Sequence, residues 1–326
     1  MVSIMANEWI VASAPGKVIL AGEHFVVKGE PAIAMAISLR ARAYVRFRED
    51  KDIVIESENL KVRSVPTRGI VKEELIPIVS IVNKIVEMSN CNRGIELRIK
   101  SEIPPASGMG SSAAVAVACA AALNELLNLN LGLDEICKIA YEAEVIVHKK
   151  PSGIDNTIST YGGVILYRKG RGFENIQYNI KNHKFILADS GLPRNTGVMV
   201  SNVLSLYNKY KRILEHVYKA SRELVMMVVD ALRKGDAEML GDLMNINHGL
   251  LSAIGVSNAK LEELVYIARM NGAKGAKITG AGGGGFIVAL VDNSSYSKVM
   301  NALRTISRRV FVTEVSKDGV KIEKDN

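Results

Sequence analysis

Cysteine is scarce. Cys91, Cys119 and Cys137 are the three in 326 residues. An odd, scattered set gives neither a disulfide framework nor metal-ligand spacing. Two of the three fall in apolar helical patterns, where cysteine serves as a small buried hydrophobe. A reducing, cytoplasmic setting is the expectation. No apolar run approaches the ~20 uncharged residues of a membrane span. Residues 1–9 have no charged stretch followed by an apolar core, so no signal peptide is expected. Aromatics are few, at 5% with one tryptophan. The basic residues are spread out with Asp and Glu between them, so the net charge of +8 makes no stripe for nucleic acid. It favours small anions as ligands instead. Internal repeats of solenoid period and low-complexity tracts are also missing.

What is present is hydrophobic residue, 48% of the chain, enough for a substantial core. The length suggests two domains or one large one. The most informative stretch begins at residues 94–100, whose apolar/polar alternation predicts a half-buried strand. It continues through Pro104-Pro105-Ala106-Ser107-Gly108-Met109-Gly110-Ser111-Ser112-Ala113. The Ala- and Leu-rich run 113–127 then predicts a helix. A strand, a rigid bend, a small-residue loop and a helix N-terminus suit a phosphate. Glycine lets the backbone come close, and the first helical N–H groups and the dipole favour an anion. A simple capped turn would use the same residues. The helix, however, has small residues on every face and so reads as buried, and its first N–H groups then need a partner. The loop fits neither the Walker nor the Rossmann spacing.

In chain order, residues 8–14 predict a strand ending in a turn at Ala14-Pro15-Gly16-Lys17. Residues 18–21 predict a second strand leading into Gly22-Glu23-His24. Lys17, Glu23 and His24 thus cluster around two turns, as a ligand site or as a local ion pair. Strands are expected over 31–47 and 53–55, and a helix over 71–88 despite Pro77. Residues 134–148 predict an amphipathic helix with Ala140, Glu144 and His148 on one line at the edge of its apolar stripe. An acid turned toward a core is expensive unless it is paired or binds a metal. The helix should stop at Lys149-Lys150-Pro151. Asp155, in Pro151-Ser152-Gly153-Ile154-Asp155-Asn156, reads as part of a turn. Residues 164–167 are strand-like. The polar stretch 170–184 marks a boundary between domains 1–180 and 181–326. Beyond it come a strand at 185–189, helices over 198–234, 236–253 and 258–271, and a second glycine loop at 279–285. A strand at 286–291, a helix at 294–307 and a closing hairpin of 310–315 with 320–323 around Asp318-Gly319 complete an α+β second half.

Three motifs, Ala14-Pro15-Gly16-Lys17 with Gly22-Glu23-His24, residues 104–114, and Thr279-Gly280-Ala281-Gly282-Gly283-Gly284-Gly285, together resemble the superfamily of galactokinase, homoserine kinase, mevalonate kinase and phosphomevalonate kinase. His148, the Asp155 segment and Arg194-Asn195-Thr196 look most like the mevalonate kinases within it. Lys149-Lys150 departs from the glycine that often follows the histidine. The resemblance implies an α+β, two-domain kinase fold, with an N-terminal domain like ribosomal protein S5, a ferredoxin-like C-terminal domain, and ATP in the cleft between them. It implies ATP phosphates over residues 104–113, Asp155 as general base, and Lys17 holding Asp155 and the transferring phosphoryl group. Glu144 and Ser111 or Ser112 would hold Mg²⁺. Glu23, His24, Tyr161 and Arg194 would line the substrate pocket, with Thr279 and Gly280 supporting it.

This assignment is chemically coherent. Phosphoryl transfer needs positioning and charge neutralisation above all. Mg²⁺ keeps several waters, so one carboxylate and one hydroxyl suffice from the protein. Arginine presents a flat fork to a substrate carboxylate. The expected reaction is phosphorylation of the 5-hydroxyl of mevalonate in isoprenoid precursor synthesis. A phosphomevalonate or homoserine kinase, and a silent ligand-binding sensor on the same fold, are the rival readings. Neither nucleic acid nor membrane is an expected partner, and a homodimer is left open.

Overall fold

The structure, a computed structural model, describes residues 8–148 and 152–323, without the side chains of Val147 and His148. The expected helix stop at residues 149–151 lies outside the described residues. In chain order the elements begin with β1 (Ile10–Ala21), β2 (Ala32–Arg48), β3 (Ile53–Ser57), β4 (Val62–Ser64), α1 (Ile76–Ser89) and β5 (Gly94–Ser101). They continue with α2 (Ser111–Leu126), α3 (Leu133–His148), α4 (Ile154–Tyr161), β6 (Val164–Arg168), β7 (Gly172–Asn175) and β8 (His183–Asp189). The remainder is α5 (Thr196–Lys209), α6 (Lys211–Lys234), α7 (Ala237–Ala253), α8 (Ala259–Met270), β9 (Gly275–Ile278), β10 (Phe286–Asp292), α9 (Tyr296–Ile306), β11 (Val310–Thr313) and β12 (Lys321–Glu323).

Packing divides the chain into two units. Of the described residues, the first takes 8–17, 38–148, 152–162 and 316–323; the second takes 18–37 and 163–315. In the first unit the strand order is β12-β1-β2-β5-β3-β4, with β3 parallel to β5. Helix α2 packs against α1, α3 and α4. Its alanines are buried on nearly every side, and Ala114, Val117, Ala118 and Ala120 have no exposure. Small side chains are what allow three helices to approach it closely. In the second unit Ala32–Met35 of β2 pairs with β6. A separate antiparallel sheet has the order β11-β8-β10-β9. Helices separate β8 from β9 and β10 from β11, which makes the order that of a ferredoxin-like sheet. Its core joins Ile186, Ala188, Ile278, Ile287 and Ala289 of the sheet to Leu261, Leu264 and Val265 of α8. Among the described residues no helix is long and apolar enough to cross a membrane.

Four expectations are corrected. Pro15-Gly16 does not turn the chain: β1 runs through it unbroken. Gly16 is there for a close approach, since a Cβ at that position would stand 2.8 Å from the Met109 carbonyl oxygen. The helix expected from residue 71 begins at Ile76, with Pro77 in its first turn, where a missing N–H costs nothing. Asp155 lies in the first turn of helix α4, after Gly153 in the left-handed conformation, and not in a turn. The closing hairpin does not form: β11 pairs with β8 and β12 with β1, in different sheets.

Candidate active site

Helix α2 opens at Gly110, whose φ of 72° is left-handed, and the loop before it also bends at Gly108 with φ 75°. The first intrahelical bond runs from Ala114 N–H to the Gly110 carbonyl at 2.9 Å. The N–H groups before it have no intrahelical acceptor. Ser111 Oγ donates to the Ile103 carbonyl at 3.3 Å, while Ser112 is exposed. Beside the loop lies a pocket of about 180 Å³ whose lining includes Leu60, Ile78, Ile99, Pro105, Ala106 and Val115.

Strand β1 delivers Lys17 to this loop. Its backbone N–H donates to Met109 O at 2.8 Å, and its Nζ donates to Gly108 O at 3.1 Å. The same Nζ stands 3.2 Å from Asp155 Oδ1, with the lysine side chain 7% exposed and the aspartate 25%. Gly110 permits this, because a Cβ there would meet Lys17 Cγ at 3.1 Å and Asp155 Oδ2 at 3.8 Å. Helix α3 brings the second acid. Glu144 Oε2 is buried with no hydrogen-bond partner. Burial first, and then the Asp155 carboxylate, push the Glu144 carboxyl up to about 8 against the opposing pull of Lys17. An orphaned carboxylate oxygen beside a second acid is a place a cation fits. Among the described residues no cluster of three or more His, Cys, Asp or Glu could hold a metal by itself.

The remaining expected residues are elsewhere. Tyr161, at the end of α4, donates its hydroxyl to Asp134. In the second unit, Glu23 is paired with Lys277, the two side chains 1% and 0% exposed. Asn247 Nδ2 donates to the other carboxylate oxygen at 2.9 Å. Lys277 Nζ also donates to Ile19 O at 3.2 Å. His24 Nε2 is 2.8 Å from Ala281 O within the second glycine loop, and burial holds its imidazole below the usual histidine range. Thr279 Oγ1 accepts from Ile19 N–H at 3.0 Å and donates to Ile19 O at 3.2 Å. Gly280 is left-handed, with φ 79°. Arg194 is half-buried, just before Asn195, the cap of α5. The segment before it lies on the glycine loop, where Gly285 N–H donates to Leu192 O at 3.3 Å.

The structure therefore gathers Lys17, Asp155, Glu144 and the loop 104–113 within the first unit. It gathers Glu23, His24, Thr279 and the glycine loop within the second. Lys277 was missed as the partner of Glu23. Its position in a short run between Ala276 and Ile278 was the available signal, since a strand buried on both faces leaves a lysine nowhere to go but to an acid.

A lysine-paired carboxylate, a glycine loop at a helix N-terminus and a nearby unpartnered acid are the apparatus of a phosphotransferase acting on an alcohol. The comparisons with known proteins agree. The GHMP kinases N terminal domain matches residues 77–163, and the GHMP kinases C terminal domain matches residues 228–306. The mevalonate kinase of Pyrococcus furiosus is 40% identical, over 96% of this chain and 98% of that one. The solved mevalonate kinase of Methanococcus jannaschii superposes with a TM-score of 0.85 at 27% identity, covering 95% of this chain and 99% of that one. The L. major mevalonate kinase in complex with R-mevalonate gives 0.80 at 29% identity, covering 93% and 94%. The chain belongs to the GHMP kinases and, within them, to the mevalonate kinases. It is an ATP-dependent small-molecule kinase with the two-domain α+β fold of that family.

Proposed function

We propose that the chain transfers the γ-phosphate of ATP to the 5-hydroxyl of (R)-mevalonate, in the cytoplasm, as a step toward isoprenoid precursors. The observation that carries the reading is the Lys17–Asp155 pair held 3.2 Å apart against the loop 104–113. Asp155 takes the proton of the attacking hydroxyl. Lys17 steadies that carboxylate and offsets charge on the phosphoryl oxygens in transfer. The N–H groups opening α2 receive the ATP phosphates, and the adjoining apolar pocket takes the nucleoside. Glu144, with the hydroxyl of Ser111 or Ser112, would hold Mg²⁺. When bound, that ion would supply positive charge to offset the charge on the ATP phosphates. Glu23, His24, Tyr161 and Arg194 are proposed to serve the acceptor, Arg194 by a bidentate grip on its carboxylate. Glu23 would do so through its hold on the His24 turn, because its own carboxylate is engaged by Lys277 and Asn247. Thr279 and Gly280 shape the second loop. A division into domains 1–180 and 181–326 is compatible with the two family matches, which fall on either side of residue 180; packing groups 18–37 and 163–180 with the second unit instead.

The test is an assay of the purified protein with Mg-ATP and a panel of mevalonate, phosphomevalonate, homoserine and galactose, with the product's phosphate position read by ³¹P NMR. Turnover of mevalonate to the 5-phosphate is expected. Preference for another acceptor would replace the substrate, and no turnover of any would replace the kinase reading with that of a sensor.

A further inference from the structure

We propose that Arg40 and the C-terminal segment 316–320 form a positioning device for Asp155, fixing the far end of the short helix that carries it. The inference rests on Asp155 being the base. Helix α4 has eight residues, with Asp155 second and Thr160 seventh. Five residues of helix span about 7.5 Å, so a shift at Thr160 is passed almost rigidly to the carboxylate. Within the helix, Asn156 and Ser159 are fully buried, yet their side-chain polar atoms have no hydrogen-bond partner. Those two side chains do not pin it.

The tail does. Val320 N–H donates to Thr160 O at 3.0 Å and satisfies a carbonyl in the last turn of α4. The approach leaves no slack: a Cβ on Gly319 would stand 2.0 Å from Thr160 O, and one on Gly162 would stand 2.4 Å from Gly319 N. Arg40 holds the tail in turn. Its guanidinium is buried and grips two chain segments at once. Nε donates to Ser13 Oγ at 2.8 Å and Nη2 to Ser13 O at 3.0 Å, on β1. On the tail, Nη1 donates to Ser316 Oγ at 3.0 Å and Asp318 O at 3.3 Å, and Nη2 to Gly319 O at 2.5 Å. Only a planar fork with five N–H donors makes that set of bonds. A buried cation whose direct acceptors are hydroxyls and carbonyls is costly for stability alone. The nearby Glu323, Asp318 and Glu102 carboxylates offset burial only in part; what the fork adds is geometry.

The backbone of Arg40 meets the other part of the site. Its N–H donates to Glu102 Oε2 at 3.0 Å, and Glu102 N–H donates to Arg40 O at 3.0 Å, just ahead of the loop 104–113. These bonds survive a change of side chain. Replacing the guanidinium should therefore move the base and spare the phosphate loop.

The experiment is a double-mutant cycle on the full chain, with radiolabelled ATP and saturating mevalonate, at a temperature where circular dichroism shows every variant folded. Arg40→Met is expected to lower kcat by about 10- to 100-fold, the scale of an ångström misplacement, and to leave KM for ATP unchanged. Arg40→Lys should restore part of it. In the Asp155→Asn background, Arg40→Met should cause no further fall. Equal fold-losses in both backgrounds, or no loss from the wild type, would overturn the proposal while leaving Asp155 as base. Full turnover by Asp155→Asn alone would remove the base reading, and the proposal with it. If Arg40→Met does not fold, Gly319→Ala, which pushes the tail off Thr160, is put through the same cycle and judged in the same way.

Discussion

Lys17 and Asp155 form a charged pair that is mostly withdrawn from water. For a binding module such a pair has little use, because charges are harder to bury than apolar groups. Asp155→Asn and Lys17→Met are each expected to reduce turnover by roughly 10²-fold or more. As the two act as a unit, the double variant should be little worse than the poorer single one; steady-state kinetics on the four proteins decides. Glu144 gives a pH signature. Its carboxyl moves from 4.5 to about 8 on folding. Below the lower value both states hold the proton. Between the two, only the folded state does, so folding takes up a proton and stability falls as pH rises through that window. Above the upper value the penalty is complete. Glu144→Gln should therefore stabilise the metal-free protein at pH 8 by about 1–3 kcal/mol, with little change at pH 4.5, as read by urea titration. In turnover it should demand more Mg²⁺.

At the scale of elements, the decisive contact is that of strand β1 with the loop before α2. Gly16 allows it. A methyl group there would strike Met109 O at 2.8 Å and the Ile103 side chain at 2.9 Å. The Lys17 N–H to Met109 O bond would then lengthen or break. Gly16→Ala is expected to lose about 1–3 kcal/mol of stability and to raise KM for ATP more than KM for mevalonate. Isothermal titration with a non-hydrolysable ATP analogue measures the nucleotide part directly. Unchanged nucleotide affinity would mean that the strand does not set the loop.

For the molecule as a whole, stability and site geometry meet again in the second unit. The Glu23–Lys277 pair is sealed from solvent, and burial pulls the lysine below its usual range. Removing one partner strands the other as a buried, unpaired charge. Lys277→Met should cost about 3–5 kcal/mol of unfolding free energy. The double variant Glu23→Leu with Lys277→Met should recover most of it, because the apolar pair needs no compensation. Chemical denaturation of the three variants checks this. No recovery in the double variant would mean that the loss in Lys277→Met does not come from a stranded Glu23 carboxylate.

The local devices are legible from residue order alone. Alternation fixed β5, the all-round small residues made α2 a buried helix, and the glycines marked both loops, because these follow from backbone freedom and short-range periodicity. The edge position of Glu144 was legible too, since helical spacing alone places it near the core. Tertiary structure decided what those devices touch. Pro15-Gly16 reads locally as a turn, yet it is a strand that needed room for Met109. Asp318-Gly319 reads as a hairpin, yet it packs against the end of α4. Arg40 looks like one of four arginines interspersed with apolar residues in its strand, and nothing within a few residues of it indicates that its acceptors include Ser316, Asp318 and Gly319. A glycine selected for close approach and a buried cation selected for a distant carbonyl have no local pattern. Their reason is a partner that only folding brings within reach.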